Sequence, residues 1–432
     1  MAVTRRAAIV ALLGVFVVFI APLRGLTVLL VEGGLLIAIV LDISLAGSVR
    51  ALRVSRYGDT ARRLDDVAGV GVLVVNAGRR PVRGVVRDAW PPSARVTPGR
   101  HRVDVPAGEQ RRYAATLHPE RRTELRAGRV TVRSVGPLGL GARQGNHEVP
   151  WTLRVLPGFP SRRHLPEKLA KLRVLDGRTA ARVRGQGTEF DSLRDYVEGD
   201  DARSIDWRAT ARRSSVVVRT WRPERDRRLL LVLDTGRTSA ARVGAAPRLE
   251  AALDAALLLG TLAARAGDRV DLMAVDDRPR ALARGADGNG DALSGLLAAM
   301  AGVQPRLVET DARLLVSEVL RRVPHRALVV LFTALDEAAI SEGLLPVLPS
   351  LTKRHVVLLA SVADPEVIAL AGRHEDARAA YDAAAAERSL GQQRRIAALL
   401  RRLKVEVVEA PPQEFASKVA DAYLSLKAAG RL

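Results

Sequence analysis

Two apolar runs at the start of the chain restrict its fold more than any other feature. Residues 7–23 and 26–41 are almost wholly apolar and are separated by a short Arg-Gly turn. Each run is close to the roughly 20 residues that a spanning helix needs. In lipid the backbone must satisfy its own hydrogen bonds, which a helix does. The pattern predicts a helical hairpin over residues 1–49 that anchors the chain in a lipid bilayer.

The charges around these runs predict the orientation of the hairpin. Arg5 and Arg6 precede the first run, basic residues follow the second run from Arg50 onward, and the turn carries only Arg24. By the positive-inside rule, both termini and the soluble domains are expected on the cytoplasmic side of a two-pass cell-membrane protein. A signal peptide is the alternative, but no small-residue cleavage site stands before the second run. Asp42 is expected near a headgroup or against the neighbouring helix.

The composition excludes several classes of function. The 432-residue chain contains no Cys, so disulfides and thiolate catalysis are excluded. Its seven His are scattered, and none are paired at metal-ligand spacing. The net charge is +21, but only six of the 68 basic residues are Lys. The basic residues are spread through all regions of the chain, and aromatic residues make up only 3%. Arginine bias therefore explains the charge, and we expect no nucleic-acid partner.

The hydrophobic pattern changes twice along the rest of the chain. Residues 50–157 carry short alternating runs between Pro and Gly turns, which predicts an antiparallel β-sandwich module of immunoglobulin or fibronectin shape. Residues 158–227 are basic and turn-rich at first, which predicts a linker with one short helix followed by a charged segment. From 228 to 432, apolar strands alternate with helices, which predicts a doubly wound α/β domain.

Aspartates stand at the ends of several predicted strands of this α/β domain. Asp234 ends an apolar run, Asp336 follows the next central run, and Asp364 follows another. In doubly wound sheets the functional face lies at the carboxyl ends of the strands. For any single aspartate, a helix cap is the competing interpretation.

The charged segment 198–213, EGDDARSIDWRATARR, holds four carboxylates, four arginines and a tryptophan. Paired carboxylates are used in acid–base or metal hydrolysis, but neither a His nor a Ser nucleophile arrangement accompanies these. A network of charge-assisted hydrogen bonds is the simpler interpretation. We therefore predict no catalytic residue, and expect Asp200, Arg203, Asp206 and Arg212 to cross-link the segment while Trp207 is buried against the α/β domain.

The stretch 185–236 closely resembles the signature of the DUF58 family, whose members are membrane-anchored, carry a von Willebrand factor A-like domain and are encoded beside AAA+ ATPases of the MoxR class. The resemblance implies an adaptor or scaffold that works with such an ATPase and with client proteins, in assembly or maturation of protein complexes or the cell envelope. A metal-dependent hydrolase and a nucleic-acid-binding protein are the alternatives. The matching positions assigned to the signature or to interaction are Glu189, Phe190, Arg194, Tyr196, Gly199, Asp200, Arg203, Asp206, Trp207 and Arg212.

The resemblance also implies a divalent-cation site in the A-like domain. Such a site takes its oxygen ligands from a D-x-S-x-S motif, a Thr in a second loop and an Asp in a third. Here Asp234, Thr238 and Thr310 match, whereas Gly236 and Ala334 replace a Ser and the second Asp. Two interpretations stay open: Mg²⁺ held at an incomplete site, and a degenerate site that binds a partner without it. We expect no other cofactor.

Overall fold

The chain forms two compact units, Met1–Leu156 and Pro157–Leu432. They are seen in a computed structural model of the full sequence. The backbone is described for residues 2–182, 189–212, 215–222, 227–285 and 291–432, and the side chains for the same ranges except 176–182, 189–192, 220–222 and 291–293.

The two apolar runs form helices, as predicted. Helix α1 is Arg5–Ile20 and helix α2 is Arg24–Leu45. Most of their apolar side chains are exposed, including Phe19 at 75% and Leu29 at 69%. One helical stretch among the described residues, Arg24–Ala51, is long and apolar enough to cross a bilayer, and a signal sequence near an N-terminus has the same character. Helix α1 has only 16 residues, so the second crossing stays a prediction.

The remainder of the first unit is a β region whose strand pairs are antiparallel except for one parallel pair, β3 with β12, so the predicted antiparallel character is confirmed for all but that pair. A five-stranded sheet has the order β1–β11–β10–β5–β7, a four-stranded sheet has the order β2–β4–β8–β6, and a third sheet has the order β3–β12–β9. The strands are β1 (Ala2–Val3), β2 (Leu52–Gly58), β3 (Ala61–Arg63), β4 (Ala68–Asn76), β5 (Val82–Asp88), β6 (Val96–Thr97), β7 (Arg100–Val105), β8 (Gln110–Leu117), β9 (Glu124–Arg126), β10 (Val130–Val135), β11 (Gly141–His147) and β12 (Thr152–Leu156).

Alternating valines build the core between the two larger sheets. Val72 and Val74 of β4 share one buried cluster with Val130 and Val132 of β10. Successive side chains of a strand point to opposite faces, so this period-two pattern turns one face of each sheet inward. The immunoglobulin or fibronectin likeness stays a prediction.

The second unit contains a six-stranded sheet of order β19–β18–β15–β20–β21–β22 and a separate hairpin, β13–β14. Its strands are β13 (Glu189–Asp195), β14 (Val217–Arg222), β15 (Arg228–Asp234), β16 (Arg242–Val243), β17 (Ala246–Pro247), β18 (Arg269–Val275), β19 (Pro279–Ala283), β20 (Leu328–Phe332), β21 (Val356–Val362) and β22 (Val405–Ala410). Its helices are α3 (Leu165–Arg182), α4 (Trp207–Thr210), α5 (Arg237–Ala240), α6 (Arg248–Arg265), α7 (Asp291–Ala301), α8 (Ala312–Arg322), α9 (Leu348–Thr352), α10 (Pro365–Leu370), α11 (Ala377–Arg402) and α12 (Pro412–Ala428).

The large sheet is covered on both faces. Leu229, Leu231 and Leu233 of β15 point into one core with α6 and α12, whereas Leu230 and Val232 point into another. Five of the strands are parallel, and β19 is the antiparallel edge. The short β19, which begins with a Pro, takes this edge, so β18 is an interior strand.

The segment predicted as a linker is structured where it begins. Helix α3 has 18 residues, and its Leu172 is buried in the core beside α6 and α12. The ammonium of Lys168, which is only 2% exposed, donates to both carboxylate oxygens of Asp421 at 2.8 and 2.7 Å. A linker is therefore the wrong description of this helix, since an apolar side chain and a buried ion pair fix it to the α/β domain.

Candidate functional site

The sheet order places one pair of loops side by side. Among the parallel strands, β15 comes first in the chain, yet it lies between β18, the second, and β20, the third. The chain thus leaves the carboxyl ends of β15 and β20 in opposite directions, and a crevice opens between them. Asp234 is the last residue of β15 and Thr333 directly follows β20.

Asp234 accepts four hydrogen bonds in this crevice. Its Oδ1 accepts from the Gly236 N–H at 2.8 Å and from the Thr310 hydroxyl at 2.5 Å. Its Oδ2 accepts from the hydroxyls of Thr238 at 3.1 Å and Thr333 at 2.6 Å. Asp234 is 4% exposed. The fold therefore brings together the three residues predicted from the resemblance, Asp234, Thr238 and Thr310, and adds Thr333; we call these four residues the Asp234 cluster.

Gly236 is required by the packing of this cluster. A Cβ at position 236 would lie 2.2 Å from the Thr310 hydroxyl oxygen and 2.9 Å from the Val308 carbonyl oxygen. The missing methylene leaves room for Thr310 to reach Asp234. The hydrogen bond from Thr310 to Asp234 thus depends on Gly at position 236, where the family pattern has a Ser.

The donor set does not fit a complete Mg²⁺ site of the type implied by the resemblance. The cluster offers one carboxylate and three hydroxyls, and Ala334 supplies no second carboxylate. Asp336 instead accepts from the Ala339 N–H at 3.0 Å and lies 4.0 Å from the Arg237 guanidinium. In the described part of the chain, no group of three or more His, Asp or Glu side chains is placed to hold a metal ion.

Two aspartates outside the cluster cap helices. Asp311 accepts from the Leu314 N–H at 2.9 Å, and Asp364 accepts from the Glu366 N–H at 2.9 Å. Both side chains satisfy an otherwise unpaired N–H at the start of a helix. The capping interpretation is therefore confirmed for Asp364, which follows a strand.

A second buried aspartate lies beside the cluster. Asp276, which follows β18 and is fully buried, accepts from the Thr235 hydroxyl at 3.1 Å and from Arg280 Nε at 2.7 Å. Burial alone would raise the pKa of Asp276, but the hydrogen bonds from Arg280 and Thr235 hold it well below its usual range. Asp276 is therefore a fixed anion that braces the loop after Asp234.

A polar cavity of about 650 Å³ opens at the carboxyl ends of β20 and β21. Arg237, Arg248, Asp336 and Glu342 are among the residues that line it. Arg237 also forms an ion pair with Glu309, which raises the pKa of the Arg237 guanidinium. This edge of the sheet therefore offers both signs of charge to a bound group.

The family-like segment folds as a small module of its own, built on the β13–β14 hairpin. The Arg194 guanidinium donates to both oxygens of Asp200, each at 2.6 Å, and the Val197 N–H donates to the same carboxylate at 3.0 Å. The Arg194 hydrogen bonds lower the pKa of Asp200 to about 2. This two-pronged pair closes the turn that directly follows β13.

Asp206 ties the helix of this module to its second strand. Its Oδ1 accepts from the N–H groups of Arg208 and Ala209, at 3.0 and 2.9 Å, at the start of α4. Its Oδ2 accepts from Arg219 Nε of β14 at 2.8 Å. These contacts, the Ala209 N–H first, lower the pKa of Asp206.

The structure corrects two expectations about this segment. Trp207 is 69% exposed, so the prediction that it is buried against the α/β domain is wrong. The ion-pair partners of Asp200 and Asp206 are Arg194 and Arg219; within the described residues, the predicted Arg203 and Arg212 do not pair with them.

The remaining signature residues have distinct positions. Gly199 has a φ of +103°, a backbone conformation that favours glycine. Tyr196 is 40% exposed. Glu189 and Phe190 pair in register with positions 222 and 221, and their side chains lie outside the described residues.

Thr333 and Arg237 were not predicted as members of a site. Thr333 stands where the family pattern has a Ser before the missing carboxylate, and this position is the signal that points to its hydroxyl. Nothing in the local sequence around Arg237 indicates that Glu309, 72 residues away, is its partner.

The fold and the site define a parallel α/β domain with an aspartate and hydroxyl cluster at its switch point, preceded by a small ion-paired module. Residues 192–384 match the model of the family described as "Protein of unknown function DUF58". The chain thus contains a DUF58 family domain, which confirms the resemblance read from the signature.

Comparisons with curated proteins give no match. Among solved structures, the CARDB domain of the PF1109 protein from Pyrococcus furiosus, in complex with di-metal ions, is 16% identical, with a TM-score of 0.18 over 24% of this chain and 91% of that one. The putative ApaA protein from Bordetella pertussis is 18% identical, with a TM-score of 0.18 over 24% of this chain and 93% of that one. The family assignment rests on the match at 192–384.

Proposed function

We propose that the protein is a membrane-anchored, cytoplasm-facing adaptor whose von Willebrand factor A-like domain works with a MoxR-class AAA+ ATPase on client proteins. The observation that carries the proposal is Trp207. It is 69% exposed on a module whose Asp200 and Asp206 are already held by Arg194 and Arg219. A large aromatic side chain presented on a braced surface loses little entropy on binding, and tryptophans dominate many protein interfaces.

The carboxyl edge of the large sheet supports the same proposal. The Asp234 cluster and the cavity lined by Arg237 and Asp336 lie at this edge, where ligands of open α/β sheets bind. In this proposal the chain binds and presents other proteins and catalyses no reaction itself, and Mg²⁺ is not required at Asp234. ATP hydrolysis belongs to the partner.

The exposed apolar surface of α1 and α2 supports the anchor. Residues such as Phe16 and Leu29 are 64% and 69% exposed, and transfer of such side chains from water to lipid is favourable. We propose that both helices enter the bilayer as a two-pass hairpin, with both chain termini in the cytoplasm.

Purification of the full chain from its own membrane, with and without Mg-ATP, tests the adaptor role. The wild-type chain should carry an AAA+ ATPase with it. Trp207→Ala should reduce recovery of that ATPase by about 30-fold, as expected for an interface residue worth about 2 kcal/mol. Tyr381→Ala is the matched control, because Tyr381 is an aromatic residue that is 80% exposed on α11. Equal recovery with both variants would remove Trp207 from the interface, and repeated absence of any ATPase would remove the partner.

A further inference from the structure

A glycine-rich loop of the first unit encloses the end of helix α2. We define the glycine loop as residues 136–141, GPLGLG, which joins β10 to β11. Asp42, in the last turn of α2, is fully buried and accepts from the N–H groups of Leu138, Leu140 and Gly141, each at 2.7 Å. Successive backbone N–H groups that converge on one anion form a concave anion site. Here the anion is the chain's own carboxylate, so the loop is fixed to the helix.

Glycines make this approach possible. A Cβ at Gly136 would lie 2.3 Å from the main-chain oxygen of Asp42, and one at Gly141 would lie 2.4 Å from Cγ1 of Ile43. Side chains at these positions would therefore push the loop away from the helix.

The start of helix α1 is fixed to the same loop and sheet. The Thr4 N–H donates to the Leu140 carbonyl at 3.0 Å, and β1 pairs with β11. Arg143 Nε donates to the Ile43 carbonyl at 2.8 Å at the far end of the hairpin. Both ends of the helical hairpin are thus held on one edge of one sheet.

These bonds place the apolar tip of the glycine loop, the Leu138 side chain, at the end of helix α2. Leu138 is 57% exposed although its N–H is bound to Asp42. On α2, Leu41 and Leu45 flank Asp42 and are 54% and 47% exposed. The 18 residues from Arg24 to Leu41 rise about 27 Å as a helix, which is close to the roughly 30 Å of the hydrocarbon core. Asp42 therefore falls at the boundary between hydrocarbon and headgroups.

Basic side chains lie at the glycine loop and at the end of α2. Arg6 is exposed and lies against Gly139, where its guanidinium would be 3.0 Å from an added Cβ. Arg80 is exposed and donates to the Ser44 carbonyl at 2.5 Å. Arginines beside an apolar tip match the anionic headgroups of a lipid surface.

We propose that the glycine loop is a lipid-contact site of the β unit: the Leu138 side chain enters the interfacial layer of the bilayer, and Arg6 and Arg80 bind lipid phosphate groups. This rests on the membrane anchor of the proposed function. The occupant is the bilayer itself, because the tip continues the apolar surface of α1 and α2. The Asp42 bonds then set the depth at which the β unit meets the membrane.

The absence of Cys makes a direct test available. Single-cysteine variants of the full chain, Leu138→Cys, Leu29→Cys and Val67→Cys, are labelled with an environment-sensitive fluorophore and placed in phosphatidylcholine vesicles containing phosphatidylglycerol. Leu29 is an exposed mid-helix position, and Val67, 50% exposed, precedes the end of β4 that is farthest from α2. Quenching by a spin-labelled lipid and by aqueous iodide is compared.

The label at position 138 should be quenched by the lipid probe and should be at least fivefold less accessible to iodide than the label at position 67. Water exposure at 138 equal to that at 67, with lipid exposure at 29, would overturn the lipid contact and leave the anchor standing. Water exposure at all three positions would overturn both.

The role of the arginines has its own arm. Access of the neutral quencher acrylamide to position 138 should fall further when phosphatidylglycerol replaces neutral lipid, and Arg6→Gln with Arg80→Gln should abolish that difference. Lys353→Gln with Lys404→Gln, in the second unit, is the matched control for loss of two charges. A response to lipid charge that is unchanged in the double arginine variant would overturn the assignment of Arg6 and Arg80.

Discussion

Asp42 and Asp234 are both buried, and both have their carboxylates surrounded by hydrogen-bond donors, but the donors differ in kind. Asp42 accepts from three backbone N–H groups. Asp234 accepts from one backbone N–H and three threonine hydroxyls. An amide N–H can only donate, whereas a hydroxyl can rotate to donate or accept.

Because of this difference, Asp42 is part of a fixed joint, whereas the hydrogen bonds around Asp234 can rearrange. The donors around Asp42 point at the carboxylate and offer nothing to a cation, so that carboxylate has a structural role. The hydroxyls around Asp234 can turn their lone pairs towards another group. Asp234 is therefore the carboxylate whose surroundings could turn to ligate a metal ion if its ligand set were completed.

The largest effect is expected at Asp42. Asp42→Ala leaves three inward-facing N–H groups without an acceptor, and each unsatisfied buried donor costs about 1–3 kcal/mol. We expect the first unit to lose about 3 kcal/mol or more of its free energy of unfolding. Thermal unfolding of the full chain in detergent measures it, and hydrogen exchange should show lost protection at Leu138, Leu140 and Gly141. Asp364→Ala, which removes an exposed helix cap, is the control; similar effects of both variants would end the claim that Asp42 is a special joint.

The next largest effect is expected when the Asp234 cluster is converted into a complete Mg²⁺ site. Gly236→Ser places a Cβ against Thr310 and should cost about 2 kcal/mol, as overpacking does. Gly236→Ser combined with Ala334→Asp supplies the two missing oxygen ligands. The double variant should gain thermal stability on addition of Mg²⁺ in proportion to its affinity, whereas the wild-type chain should not. Isothermal titration with Mg²⁺ is the direct measurement, and stoichiometric binding by the wild-type chain would show that the native cluster is already a metal site.

A smaller effect is expected from Thr333→Val. This nearly isosteric change removes one of four donors to Asp234 and should cost about 1 kcal/mol, the net value of a typical hydrogen bond. Denaturant unfolding of the second unit measures it. Ser341→Ala, in the wall of the nearby cavity, is the control for loss of a hydroxyl. An unchanged unfolding midpoint would mean that the Thr333 hydroxyl makes no net contribution.

The smallest effect extends the comparison to a partly exposed carboxylate, that of Asp200. The pKa of Asp200 is about 2 in the folded chain, below its ordinary 3.8, because Arg194 donates to it. A depressed carboxylate contributes stability above its unfolded pKa and loses it as the pH falls through the folded one. The module should therefore loosen between about pH 4 and pH 2. NMR titration of the Asp200 carboxyl in the wild-type chain and in Arg194→Gln would measure this, and an equal pKa in both would contradict the role of Arg194.

The amino-acid sequence predicts the structure correctly where a local pattern decides it. The run RLLLVLD formed the strand β15, because a continuous apolar run is what a strand covered on both faces requires. The two N-terminal apolar runs became helices. A resemblance to a known family supplied the spacing of Asp234, Thr238 and Thr310, and the fold brings these three residues together.

The amino-acid sequence does not predict the structure where a distant residue decides it. Helix α3 was predicted as part of a basic linker. Its Lys168 is instead buried and paired with Asp421, which lies 253 residues away and cannot be recognised as its partner from the local sequence. Trp207 was expected to be buried because it is large and apolar, yet nothing in its neighbours reveals which side of the hairpin is covered. Thr333 joins Asp234 only because β20 is the neighbour of β15, and strand order is not written in either strand.

The hydrogen bonds between the glycine loop and Asp42 also constrain the order in which parts of the chain can fold during synthesis. Asp42 and Leu138 are 96 residues apart in sequence, and Thr4 and Gly139 are 135 apart. A ribosome that adds about 5–20 residues per second needs roughly 5–20 s to make the first of these intervals. The apolar helices are therefore complete well before the loop that holds them exists. The β unit has to close onto helices that have already emerged, and a delay in that closure would leave the carboxylate of Asp42 without its donors during synthesis.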